Sequence, residues 1–136
     1  MKATIKKGFI LLSILFLFNI ALQAQKVRIK TGIEVLKEQK FKCLEGKRVG
    51  LITNPTGVDN NMKSTIDILH EAPNVNLVAL FGPEHGVRGA VHAGDHVTDM
   101  KDSTTGLPVY SLYGKTRKAT PDMLKDIDVL DRKSVV

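Results

Sequence analysis

Two short runs constrain this chain's fold more than any other feature: residues 48–53 (RVGLIT) and 76–81 (NLVALF). Each is β-prone and apolar through most of its length, without the alternation of a strand that has one wet face. Between them lies STIDILH at 64–70, which reads as a helix with Ser64 as N-cap and Ile66 and Leu69 on its inner face. Apolar strands separated by helices imply a parallel sheet covered on both sides.

The rest of the pattern fits that plan. Ile33, Val35 and Leu36 suggest a short amphipathic helix capped by Thr31. Asn54, Pro55, Thr56 and Gly57 form a turn after the first run, with Pro fixing φ and Gly tolerating positive φ. A long Gly- and His-rich loop runs from Gly82 to about Gly106, followed by a weaker strand at 108–111. Thr120 and Pro121 open a short helix, Thr120 as cap and Pro121 at the first helical position, and a fourth strand begins at 127–130 (IDVL). The expected fold class is α/β: a Rossmann-like parallel sheet with flanking helices, truncated before a second subdomain.

The N-terminus adds an export signal. Lys2, Lys6 and Lys7 form a positive start, no acidic residue precedes Glu34, and residues 9–20 (FILLSILFLFNI) are apolar except for Ser13 and Asn19. That core is shorter than the ~20 apolar residues of a spanning helix and matches a signal-peptide core. Ala24 supplies a small residue for cleavage before Gln25, although Leu22 is larger than the usual residue two positions earlier; the alternative is an uncleaved anchor. The segment holds no cysteine, which excludes a lipoprotein anchor. Residues 1–24 are therefore expected to be removed and the product to be periplasmic or secreted, with the membrane involved only during export.

Removal of that segment leaves 112 of the 136 residues, enough for one small domain with a core, expected at 25–130. Three of the positive charges belong to the signal, so the net charge falls from +6 to +3. Scattered basic residues with five Phe, two Tyr and no Trp give no stacking platform, so no nucleic-acid partner is expected. The single cysteine, Cys43, has no partner for an internal disulfide and reads as a small buried hydrophobe.

After IDVL the chain turns to DRKSVV at 131–136, where a central strand would continue apolar. The same hexapeptide is encoded by one reading frame of a common sequencing adapter, so these residues are expected to be a non-native tail on a longer natural chain.

Ligands of open parallel sheets bind beyond the carboxyl ends of the strands. Asn54 to Gly57 and the segment Gly82, Pro83, Glu84, His85, Gly86, Val87, Arg88 and Gly89 fall there. Glu84 follows directly on an apolar strand, where partial desolvation would raise its pKa toward that of a general acid. His85 is its neighbour, and Arg88 has the fork to bind a carboxylate. The plainer alternative is a loop whose Glu and His bond its own backbone. His92, Asp95 and His96 invite a metal reading, but Gly94 between them argues for a loop rather than a ligand-bearing helix. No metal or other cofactor is expected, and the first strand runs into NPTG rather than a phosphate-binding glycine loop.

The runs GLITNPTGVD, ALFGPEHGVRG, TGLPVYSLYG, TPDML and IDVL, spread through residues 32–130, resemble the N-terminal part of the exo-β-N-acetylmuramidase family. That resemblance implies a glycosidase acting on peptidoglycan-derived muropeptides or disaccharides, with a Rossmann-like first domain, a further subdomain, and a cleft between them. It implies that Glu84, in GPEHG, is the catalytic glutamate. The substrate-binding candidates are Asn54, Thr56, Gly57, His85, Arg88 and Tyr113. The second catalytic group stays open among Asp95, Asp102, a residue beyond this chain and the substrate's own acetamido group. Two other readings stand beside it: a non-catalytic peptidoglycan-binding module, and a metal-dependent hydrolase built on His85, His92 and His96.

Overall fold

The computed structural model describes residues 29–83, 86–89, 100–114 and 116–133. The elements in chain order are α1 (Gly32–Glu38), a 3-10 turn (Lys42–Leu44), β1 (Arg48–Thr53), α2 (Thr65–Glu71), β2 (Asn76–Gly82), β3 (Met100–Lys101), β4 (Pro108–Ser111), α3 (Pro121–Leu124) and β5 (Val129–Lys133). The five strands lie in the order β3-β4-β2-β1-β5. β1 pairs in parallel with both β2 and β5, and β2 in parallel with β4. Among the described strands only β3, at the outer edge, runs antiparallel to its neighbour β4.

The parallel part, β4-β2-β1-β5, follows the order of one half of a doubly wound sheet plus the first strand of the other. The chain moves outward from β1 to β2 and β4, then returns to the far side of β1 for β5. The direction of winding therefore reverses between β1 and β5, beside the loop that leaves β1.

The two apolar runs take the central places because their side chains need cover on both faces. Val49 and Leu51 of β1, and Leu80 and Phe81 of β2, are all fully buried. Burying one such large side chain contributes roughly 1.5–3 kcal/mol. Phe81 also stacks at an angle on Tyr110, its partner across β2 and β4, with ring centroids 5.4 Å apart. Gly50 fits where no side chain would. A Cβ there would sit 2.8 Å from Ile127 Cδ1, 3.0 Å from Leu130 Cδ1 and 3.1 Å from Phe81 Cε2.

The caps form where the sequence places them. Ser64 Oγ accepts from the Ile66 N–H at 3.2 Å, and Ile66 and Leu69 are fully buried beneath α2. Thr120 Oγ1 accepts from the Met123 N–H at 3.4 Å, with Pro121 at the start of α3. At α1, the Thr31 N–H donates to the Glu34 carboxylate at 2.8 Å as part of a capping box. Asp59 shapes the approach to α2, accepting from the N–H groups of Asn61 (2.8 Å) and Lys63 (2.9 Å).

Three expectations need correction. Cys43 is exposed, because the single turn at Lys42–Leu44 directs Leu44 into the core instead. Val35 is exposed while Ile33, on the same helix, is buried. Gly57 does not use positive φ, since its turn closes without it. Among the described residues no helix is long and apolar enough to cross a membrane; residues 1–28, which hold the expected signal, lie outside them.

Candidate functional site

Parallel strands bring their carboxyl ends to one edge, so the loops after β1, β2 and β4 share that edge. Each is built differently.

The loop after β1 is a tight turn. The Gly57 N–H donates to Asn54 O at 2.9 Å, and the Thr56 hydroxyl donates to Asn54 Oδ1 at 2.8 Å. Gly57 O in turn accepts from the Thr65 N–H at 2.8 Å, which ties the turn to the start of α2. Thr56 is exposed, Asn54 half-buried and Gly57 buried. Thr56 and Asn54 can therefore meet a ligand with side-chain groups, whereas Gly57 serves the turn itself.

The loop after β2 is pinned on each side of the sequence pair Glu84-His85. Before it, Gly82 O accepts from the Leu112 N–H at 2.8 Å, which links this loop to the one after β4. After it, the Gly86 N–H donates to Pro83 O at 3.1 Å, with Gly86 at φ 73°. Val87 enters the hydrophobic core. Gly89 adopts φ 76° and abuts the first loop so closely that a Cβ on it would lie 3.0 Å from Pro55 Cγ. Glu84, His85, His92, Asp95 and His96 lie outside the described residues.

Arg88 sits at the centre of this loop's anchorage. Its Nε donates to Asp102 Oδ1 at 2.6 Å and its Nη2 to Asp102 Oδ2 at 3.0 Å. On its other side Nη2 reaches Asp67 Oδ1 at 2.7 Å and Nη1 reaches Asp67 Oδ2 at 3.3 Å. Asp67 belongs to the first turn of α2, and Asp102 follows β3. Asp102 is almost fully buried, its side chain only 3% exposed. It also accepts from the Thr105 hydroxyl at 2.7 Å and the Thr105 N–H at 3.0 Å. The Arg88 hydrogen bonds, helped by those from Thr105, outweigh burial and hold the Asp102 carboxyl down at about 2. The same contacts raise the Arg88 pKa further above its ordinary value. This arrangement gives Arg88 protein carboxylates as partners where the sequence suggested a ligand's.

After β4, Ser111 Oγ accepts from the Tyr113 N–H at 3.2 Å and sets the local turn. Tyr113 is partly exposed at the same edge. The structure thus gathers Asn54, Thr56, Gly57, Arg88 and Tyr113 on three neighbouring loops. Besides Thr105, which bonds Asp102, Asp67 is a group of the cluster that the sequence did not point to. It lies 21 residues from Arg88 and carries no motif, and only its place in the first turn of the helix beside this loop marks it.

Comparison with known proteins bears on the same segment. The family model described as exo-beta-N-acetylmuramidase NamZ, N-terminal, matches residues 49–131. The peptidoglycan beta-N-acetylmuramidase NamZ of Bacillus subtilis is 58% identical over 107 residues, covering 79% of this chain and 26% of that protein. Two solved structures of DUF1343 family proteins from Bacteroides fragilis are also similar. One is 77% identical with a TM-score of 0.73, covering 82% of this chain and 27% of its own. The other is 37% identical with a TM-score of 0.56, covering 76% and 25%. The chain spans about a quarter of the length of the relatives it matches.

Proposed function

This chain belongs to the exo-β-N-acetylmuramidase NamZ family, matching its N-terminal domain, and from that premise we propose that it is part of a glycosidase releasing terminal N-acetylmuramic acid from peptidoglycan fragments. The observation that carries this reading is the 58% identity to a relative named for that activity, in an alignment covering 79% of this chain.

Glycoside hydrolysis needs a proton delivered to the leaving oxygen and stabilisation of an oxocarbenium-like transition state. Glu84, two positions after the last residue of β2 in sequence, is the proton donor in this reading. Asp102 is unsuited to be the second group. Its carboxyl, held at about 2, carries no proton to give at neutral pH, and its side chain is only 3% exposed and engaged by Arg88 and Thr105. The second role falls to Asp95, to a residue of a further subdomain, or to the substrate acetamido group. Asn54 and Thr56 supply polar contacts to the sugar or its lactyl group, and Tyr113 an aromatic surface. A further subdomain closes the other side of the cleft, in keeping with the greater length of the relatives. In this reading the signal-like N-terminus directs export to the periplasm or outside the cell, a location that suits a peptidoglycan-derived substrate.

The test is direct. Full-length protein is incubated with chromogenic β-glycosides of N-acetylmuramic acid and of N-acetylglucosamine. Release from the first and not from the second is expected. Saturable binding of the muramic glycoside without release would instead identify a binding module.

A further inference from the structure

We infer that Arg88 is a positioning residue, which fixes the loop after β2 by bridging Asp67 of α2 and Asp102 of the β3–β4 segment, rather than a group that binds the substrate carboxylate. The inference deepens the glycosidase reading and rests on it for its effect on turnover.

The geometry carries the assignment. Four hydrogen bonds join one guanidinium to two carboxylates, so four of its five N–H donor sites face protein oxygens. Those carboxylates come from different elements on either side of the loop. The backbone on both sides of Arg88 is fixed as well: Val87 is buried in the core, and Gly89 packs on Pro55. Arg88 lies four positions after Glu84 in sequence, so one loop carries both. A lysine would keep the charge but not the fork. Its compact ammonium cannot meet two carboxylates edge-on at once. With two carboxylates already neutralising it, Arg88 also has little field left to attract a third from a ligand.

The experiment uses the full-length protein with Asp102→Asn, Asp67→Asn and Arg88→Lys. Two measurements are made: steady-state kinetics on the muramic glycoside, and hydrogen exchange of the peptide containing residues 86–89. A displaced catalytic loop should lower kcat by about 10–100-fold in Asp102→Asn and Arg88→Lys. KM should stay within about twofold, since an unchanged KM marks an effect on the transition state alone. Exchange in 86–89 should quicken while β1 and β2 keep wild-type protection. Asp67→Asn should show the same pattern more weakly. Wild-type kcat in Arg88→Lys would overturn the assignment, and a rise in KM with kcat held would overturn it in favour of a ligand-binding Arg88. Unchanged exchange in Asp102→Asn would overturn it too. Should the wild type release nothing from any muramic glycoside, the glycosidase reading fails, and exchange alone decides whether Arg88 holds the loop.

Discussion

Arg88 meets Asp102 side-on, with Nε to Oδ1 at 2.6 Å and Nη2 to Oδ2 at 3.0 Å, across 14 residues of chain. This pairing joins the loop after β2 to the segment that follows the edge strand. It gives the carboxyl edge of the sheet a built-in charge pair.

Acid should weaken that pair in a defined window. The Asp102 carboxyl is held at about 2 in the folded protein against an ordinary 3.8. A depressed folded value stabilises the native state above about pH 4, and the contribution disappears as pH falls toward 2. The shift corresponds to at most about 2–3 kcal/mol. Denaturant titrations at pH 5 and pH 2.5 should show this loss, and Asp102→Asn should flatten it. An equally steep decline in the variant would show that Asp102 does not contribute it.

Gly50 should resist enlargement. Ile127 and Leu130 can move their chain ends aside, but Phe81 is fully buried in a central strand. Gly50→Ala is expected to cost about 1 kcal/mol and Gly50→Val about 2–3 kcal/mol, as overpacked cores do. Shifts in the urea midpoint at constant slope measure both. A Val variant as stable as wild type would contradict the described packing of β5 on β1.

Ser64→Ala should destabilise by about 1 kcal/mol, the usual cost of losing an N-cap. Ser64→Asp should recover most of it, because its carboxylate can accept the same N–H and favours the helix N-terminus. Thermal unfolding of the three proteins checks the order, and an Ala variant matching wild type would rule out a capping role.

Much of this architecture was legible in the residues. RVGLIT and NLVALF became the two central strands, because continuous apolar runs have no other place to go. Ser64 and Thr120 became caps because their oxygens satisfy N–H groups that a helix start leaves open, and Thr31 became one through the Glu34 carboxylate, which accepts from the Thr31 N–H. Other features had no local signature. β3 is two residues long and too short for any periodicity. Cys43 and Val35 are apolar enough for a core, but direction within a single turn is set by neighbours such as Leu44 and Ile33. At the candidate site, the turn at Asn54 to Gly57 was readable from Pro and Gly. The partners of Arg88 were not, since they come from α2 and from beyond β3, and only folding brings them together. The export signal, the metal reading at His92, Asp95 and His96, and Glu84 itself fall outside the described residues.

The central claim is that Glu84 delivers the proton to the leaving oxygen, and Glu84→Gln in the full-length protein tests it most directly. Glutamine keeps the size and much of the hydrogen bonding but cannot transfer a proton. With a poor leaving group on N-acetylmuramic acid, kcat should fall about 10²–10⁴-fold, or roughly 3–5 kcal/mol of transition-state stabilisation. The defect should shrink with a leaving group so good that it needs no protonation. Circular dichroism matching wild type would exclude misfolding as the cause. Near-wild-type turnover of the poor leaving group by Glu84→Gln would contradict the claim and make His85 the residue to test.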